Sequence, residues 1–167
     1  MNFSDSAPSY CYISLFQYCS SLKTAPHLSA TTLAAYCYQA MFNTTGLTAV
    51  PNDMLPATTL ATGCYYNMFY NCASLSTAPD LPATKLVDYC YRYMFRTASN
   101  MSNIRVAFTA WKGLNSTQDW VNYISNTGTF YCPRALGTNA SISRGRSNCP
   151  SNWTVVNTDW EVKHDKD

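Results

Sequence analysis

Apolar side chains come in pairs along the first two thirds of the chain, and the pairs recur at a fixed distance. Cys-Tyr stands at Cys11-Tyr12, Cys37-Tyr38, Cys64-Tyr65 and Cys90-Tyr91, with steps of 26, 27 and 26. Four residues further on each time is an apolar-Phe pair: Leu15-Phe16, Met41-Phe42, Met68-Phe69 and Met94-Phe95. A single apolar residue follows (Leu22, Leu75, Met101, with Leu47 one place early), then Ala-Pro or Val-Pro, then Leu-Ser/Pro-Ala-Thr. The second unit drops one residue before Pro51 and adds two after it, which accounts for the step of 27. A unit of this size cannot cover its own apolar face, so repeats of this kind stack and share a continuous core.

Leu33, Tyr36, Cys37, Ala40 and Met41 fall at i, i+3, i+4, i+7 and i+8, as do Leu86, Tyr89, Cys90, Tyr93 and Met94, a spacing that predicts a helical stripe of about three turns. Thr-Thr before Leu33 and Leu60 supplies an N-cap hydroxyl. Leu22–Pro26 and Leu75–Pro79 are short, rich in Thr and Pro, and read as brief strands lining a concave sheet. The expected fold class is therefore α/β, a solenoid of four coils near residues 9–28, 29–54, 55–80 and 81–103, followed by a capping segment over 104–160 and a charged tail over 161–167. Within the cap, Ile104–Phe108 reads as a last strand, Asn115-Ser116-Thr117 as the start of a short helix through Trp120, Val121 and Ile124, and Thr127–Tyr131 and Trp153–Val156 as paired strands. Trp111, Trp120 and Trp153 are the expected covering rings.

The pattern Cys-Tyr-x-x-Met-Phe-x-x-Cys-x-x-Leu-x-x-Ala-Pro resembles the BspA-like leucine-rich repeats of surface proteins from gut anaerobes and parasites. The resemblance runs from about Ser9 to Val106 and implies a leucine-rich-repeat solenoid used for binding or adhesion. Thr45 and Ala98 stand where the pattern has its second Cys, so no function can require that thiol in every coil.

Composition narrows the chemistry. The chain is 47% apolar and only 12% charged, with 13 Tyr, 7 Phe, 4 Trp, 8 Cys and a single Glu, so its core must be made of rings and sulfur. No apolar run nears the roughly 18 residues of a membrane span, and a net charge of +2 gives no general reason to bind nucleic acid. Cys11, Cys37, Cys64 and Cys90 share one position in successive coils, where helices about 8 to 10 Å apart would hold them beyond disulfide reach. Cys19 and Cys72 are two coils apart. Bridges inside a coil, Cys11 to Cys19 or Cys64 to Cys72, stay open geometrically, but Cys37 and Cys90 have no such partner, and all six are expected as small buried hydrophobes. Cys132 and Cys149 lie outside the repeats among Gly and Asn, and are expected to form a disulfide in an oxidising exterior. Without C-x-x-C and with two His, no zinc site is expected.

No nucleophile–base pair, phosphate loop or metal motif accompanies these residues, which points away from an enzyme and from any cofactor. His27 has Asn52-Asp53 and Asp80 as repeat equivalents, the variation of a solvated rim, and His164 sits in the charged tail. Between Arg92 and Arg146 lie seven cations (Arg92, Arg96, Arg105, Lys112, Arg134, Arg144, Arg146) against one acid, Asp119. That balance suits an acidic glycan or protein, with Arg144 and Arg146 reaching out from a loop around Gly145. Lys23, Thr24, His27, Ser76, Thr77 and Asp80 form the expected strand-side contact surface, and Tyr66, Tyr70, Tyr93 and Trp111 are the rings least constrained by the repeat. The expected function is a non-catalytic, extracellular or surface-exposed module that contacts a protein or glycan, with neither nucleic acid nor membrane insertion. The alternative is a structural assembly component, such as a phage tail-fibre or oligomer subunit. Residues 1–8 are polar and the first coil lacks the Leu-Pro-Ala-Thr entry of its successors, so the chain reads as part of a longer protein or as a subunit whose first coil a partner covers.

Overall fold

The computed structural model describes residues 5–158 and Trp160, the side chain of Leu114 apart. Cys37, Tyr38, Met41 and Phe42, and their equivalents in the third and fourth repeats, are all buried. They are not carried on helices. Between residues 5 and 112 the backbone forms no helix, the single α-helix among the described residues, α1, is Gly113–Ser116, and a 3-10 turn spans Arg134–Leu136. Strands are equally short: β1 (Ser6–Ala7) pairs with β2 (Thr32–Leu33), and β3 (Asn103–Arg105), β4 (Thr129–Cys132) and β5 (Thr154–Asn157) make one parallel sheet in that order. This corrects the expected fold class, since an α/β leucine-rich-repeat solenoid of four coils requires helices and a strand in each coil.

The reason lies in the backbone of each Cys-Tyr-x-x-Met-Phe segment. Positive φ recurs every fourth residue, at Tyr36, Ala40 and Thr44, at Gly63, Asn67 and Asn71, and at Tyr89, Tyr93 and Thr97. A left-handed residue every four positions interrupts helical bonding and leaves a run of tight turns. Alternate N–H groups close those turns locally, Cys37 to Ala34 O, Gln39 to Tyr36 O and Met41 to Tyr38 O. The intervening N–H groups donate to the following repeat: Tyr36 to Thr62 O, Tyr38 to Cys64 O, Ala40 to Tyr66 O and Phe42 to Met68 O, at 2.8–3.1 Å. The same ladder joins the first repeat to the second and the third to the fourth. Backbone donors are thus satisfied without helix or long strand, as burial demands.

In-register stacking places like rings on like rings. Tyr12, Tyr38, Tyr65 and Tyr91 follow one another at 5.5, 6.1 and 6.0 Å, and Phe16, Phe42, Phe69 and Phe95 at 5.4, 5.7 and 5.8 Å, all within 11° of parallel. Each offset stack adds about 0.5–1.5 kcal/mol beyond the area it buries.

The ladder continues past the last Cys-Tyr motif. Tyr91, Tyr93, Phe95 and Thr97 donate to Ser116 O, Gln118 O, Trp120 O and Asn122 O, and Asp119 and Tyr123 again have positive φ. The helix expected through Trp120 and Ile124 is therefore absent, replaced by the same turns, with only α1 ahead of it. The paired strands expected near 127–131 and 153–156 correspond to β4 and β5, in registers Asn103↔Thr129 and Thr129↔Thr154. Leu22–Pro26 and Leu75–Pro79 contribute single parallel bridges, Thr24↔Ala49 and Thr77↔Asn103, rather than strands, because Pro26 and Pro79 have no N–H to extend a ladder.

Candidate functional site

Two residues of every four point outward on the turn side, and in the third and fourth repeats these include Tyr66, Tyr70, Arg92, Tyr93 and Arg96, all half-buried. Stacking brings them together. The Tyr66 and Tyr93 rings lie 5.9 Å apart at 46°, and the Arg92 guanidinium sits 4.8 Å from Tyr93, 5.4 Å from Tyr89 and 5.8 Å from Tyr66. Its Nη2 donates to the Tyr93 hydroxyl at 3.1 Å, and that bond raises the guanidinium pKa further, keeping it cationic. Arg96 lies 5.3 Å from the same ring. The Nε atoms of Arg92 and Arg96 and the Oδ1 of Asn67 are enclosed without a hydrogen-bond partner among the described residues.

Asp119 extends the face toward the C-terminal segment. Its carboxylate meets Arg96 Nη1 at 3.6 Å and Arg146 Nε at 2.8 Å. Beyond Arg146 a groove of about 240 Å³ opens between residues 121–126 and 145–153, with exposed Tyr123 on its wall. The result is one band of tyrosine rings and guanidinium groups running from Tyr66 to Tyr123.

Other cations of the basic segment are engaged elsewhere. Arg105 is buried, 3.7 Å from Asp80 and 4.5 Å from the Trp160 ring centre, and Lys112 pairs with Asp88 at 3.3 Å. Arg134 is exposed on the 3-10 turn. Arg144, expected to reach a partner, is turned inward: Nη1 donates to Pro150 O, Ser151 O and Trp153 O, and Nη2 to Asn139 O and Oδ1. Arg146 is the member of that pair that faces solvent, although ion-paired.

The strand-side residues are dispersed. Lys23 and Thr24 are exposed at the bridge to the second repeat, Ser76 and Thr77 are exposed at the bridge to Asn103, His27 pairs with Asp53 at 3.4 Å, and Asp80 pairs with Arg105. Trp111 packs edge-on to Phe108 at 5.2 Å and belongs to the interior. His164 lies outside the described residues.

All eight thiols are free, which corrects the expected Cys132–Cys149 disulfide. Each sulfur has its own surroundings instead: Cys132 Sγ donates to Gly137 O and accepts from Asn157 Nδ2, and Cys149 Sγ contacts Pro150 O and Arg144. Of the six repeat cysteines expected in the core, Cys37, Cys64, Cys72 and Cys90 are buried, whereas Cys11 and Cys19 are exposed on the first repeat. In the sequence Arg92 and Arg96 are legible only as charge; their assembly with Tyr66 and Tyr93 depends on the four-residue turn period, which puts Tyr66, Arg92 and Tyr93 in adjacent rungs. Comparison with protein-family models, curated proteins and solved structures gave no match.

Proposed function

We propose that the protein is a non-catalytic binding module, outside the cell or on its surface, whose tyrosine and arginine band contacts an acidic glycan. The observation that carries this reading is Arg92, a guanidinium stacked among three tyrosines and without a carboxylate partner among the described residues. Rings of this kind accept the apolar faces of sugars, and the cations Arg92, Arg96 and Arg146 suit carboxylate or sulfate groups along the same chain. A surface fixed by a backbone ladder loses little conformational freedom on contact, which favours binding.

The test is a glycan array of sulfated, uronate-bearing and neutral chains, probed with wild type and with Arg92→Ala combined with Tyr93→Ala. The expected result is retention of acidic glycans, weakening with added salt, and a loss of about tenfold or more in the double variant. Neutral glycans bound equally well, or acidic ones retained by the variant, would refute the reading.

A further inference from the structure

The last donor of each rung in the turn ladder recurs at one fixed place. Tyr18, Thr44, Asn71 and Thr97, each at positive φ, donate their N–H groups to Asn43 O, Tyr70 O, Arg96 O and Asn122 O at 2.8–2.9 Å. Tyr123 is the fifth member of this series, with φ of 62°, and its N–H has no acceptor among the described residues. The donors before it on the same layer are served: Asp119 N–H donates to Ser147 Oγ at 2.9 Å and Val121 N–H to Arg146 O at 3.1 Å. By the ladder's alternation Tyr123 N–H points the same way as Val121 N–H. The loop that stands in for the next layer therefore falls one bond short, and the gap is the groove of about 240 Å³ between residues 121–126 and 145–153.

We propose that this groove binds a single uronate residue through its carboxylate, an assignment that rests on the acidic-glycan reading and names the acid. One carboxylate oxygen takes the place of the missing carbonyl on Tyr123 N–H. The other meets Arg146, whose Nε engages Asp119 at 2.8 Å while its side chain stays 70% exposed. One amide donor and one guanidinium serve two oxygens, which matches a carboxylate rather than the three terminal oxygens of a sulfate ester. Hydroxyls of the same sugar ring find Asn122, Asn126 and Asn152 along the groove, whose side-chain amides have no hydrogen bond among the described residues. Its apolar face finds the exposed Tyr123 ring. Arg96 and Arg146 flank the one acid Asp119, so the approach keeps a positive balance for an incoming anion. The volume lies below the roughly 300 Å³ at which ordinary small-molecule pockets begin, which limits the groove to one residue of a glycan.

The test uses the full chain, isotopically labelled in nitrogen, titrated with D-glucuronate, D-galacturonate, D-glucose and sodium sulfate at one ionic strength, with the Tyr123 amide followed by NMR. At least one of the two uronates should move the Tyr123 amide proton downfield to saturation, together with the Asn152 side-chain amide, while glucose and sulfate leave both in place. Arg146→Gln should raise the uronate Kd by about tenfold or more. A Tyr123 amide unmoved by both uronates, an equal shift with glucose or sulfate, or an Arg146→Gln titration that matches wild type would each overturn the proposal. The glycan array reads the tyrosine and arginine band and this amide reads the groove, so the two readings fail separately. Acidic glycans retained on the array with Tyr123 unmoved would remove the groove and leave the band, whereas a saturating Tyr123 shift without array binding would support the groove and remove the band.

Discussion

Trp120 stacks on Tyr91 at 6.0 Å and 24°, at the layer where the Cys-Tyr and Met-Phe motifs have ended. The same indole lies 6.1 Å from Phe95, and its Nε1 donates to Asn148 O at 2.9 Å. One fully buried side chain therefore closes both ring columns and ties them to the C-terminal loop. Trp120→Ala should lower unfolding free energy by about 3–5 kcal/mol, the range for emptying a large aromatic site. Urea titration followed by circular dichroism measures it. A loss under about 1 kcal/mol would mean that the columns are sealed by other residues.

Thr97 has φ of 59°, a conformation that costs an L-residue about 1–2 kcal/mol and a β-branched one most. Asn71 occupies the same position one repeat earlier, and asparagine tolerates the left-handed region. Thr97→Asn should raise stability by about 0.5–1 kcal/mol after its bond to Arg96 O is lost, visible as a higher melting temperature. Gly63→Ala should do the reverse, because a Cβ there would collide with the Tyr36 ring as well as face a positive φ.

The inward positions were legible because burial selects Cys, Tyr, Met and Phe at a fixed spacing whatever backbone carries them. The backbone was not, since a period of four puts i, i+4 and i+8 on one side much as a helix does over two turns. Two signals separate the cases. Cys64, Met68 and Cys72 keep strict steps of four, which on a helix of 3.6 residues per turn would drift around the cylinder. Gly63, Asn67 and Asn71, also four apart, are the residues that type II turns require at their third place. The continuation of the turns through Trp120 has no such trace, because after Phe95 the layers are joined by backbone bonds while the side-chain motif is gone. The inward turn of Arg144 has no sequence signal for a related reason: its charge is legible, but the carbonyls it gathers belong to a loop without periodicity.

That loop gives a sharp contrast between neighbouring cations. Arg144 satisfies carbonyls at Asn139, Pro150, Ser151 and Trp153, and hydrogen bonds to charged groups are worth about 1.5–3 kcal/mol each when their removal leaves partners unmet. Arg146 is 70% exposed, and its pair with Asp119 falls in the surface class worth at most about 1 kcal/mol. Arg144→Ala should therefore depress the melting temperature measurably, and Arg146→Ala should leave it nearly unchanged. Equal effects would contradict the capping role of Arg144.

The buried thiols tie stability to alkaline pH. Burial pushes Cys37, Cys90 and Cys132 up to about 11 and Cys149 to about 12, against 9.0 for a solvated thiol, and holds Tyr65 and Tyr91 well above the usual phenol range. A thiol raised in the folded state favours folding fully below the unfolded value. As pH climbs past 9 the unfolded chain sheds protons that the folded chain keeps, so stability drains away until the folded thiols ionise near 11 to 12. The urea midpoint should fall steadily between pH 9 and 11, and Cys90→Ala should flatten that fall by removing one titrating group. At pH 7 the column can be probed without titration. Cys64→Ser places a hydroxyl at a fully buried site and should cost about 1–3 kcal/mol, while Cys11→Ser at an exposed site should cost almost nothing. Equal losses at the two positions would mean that the first repeat is covered in solution.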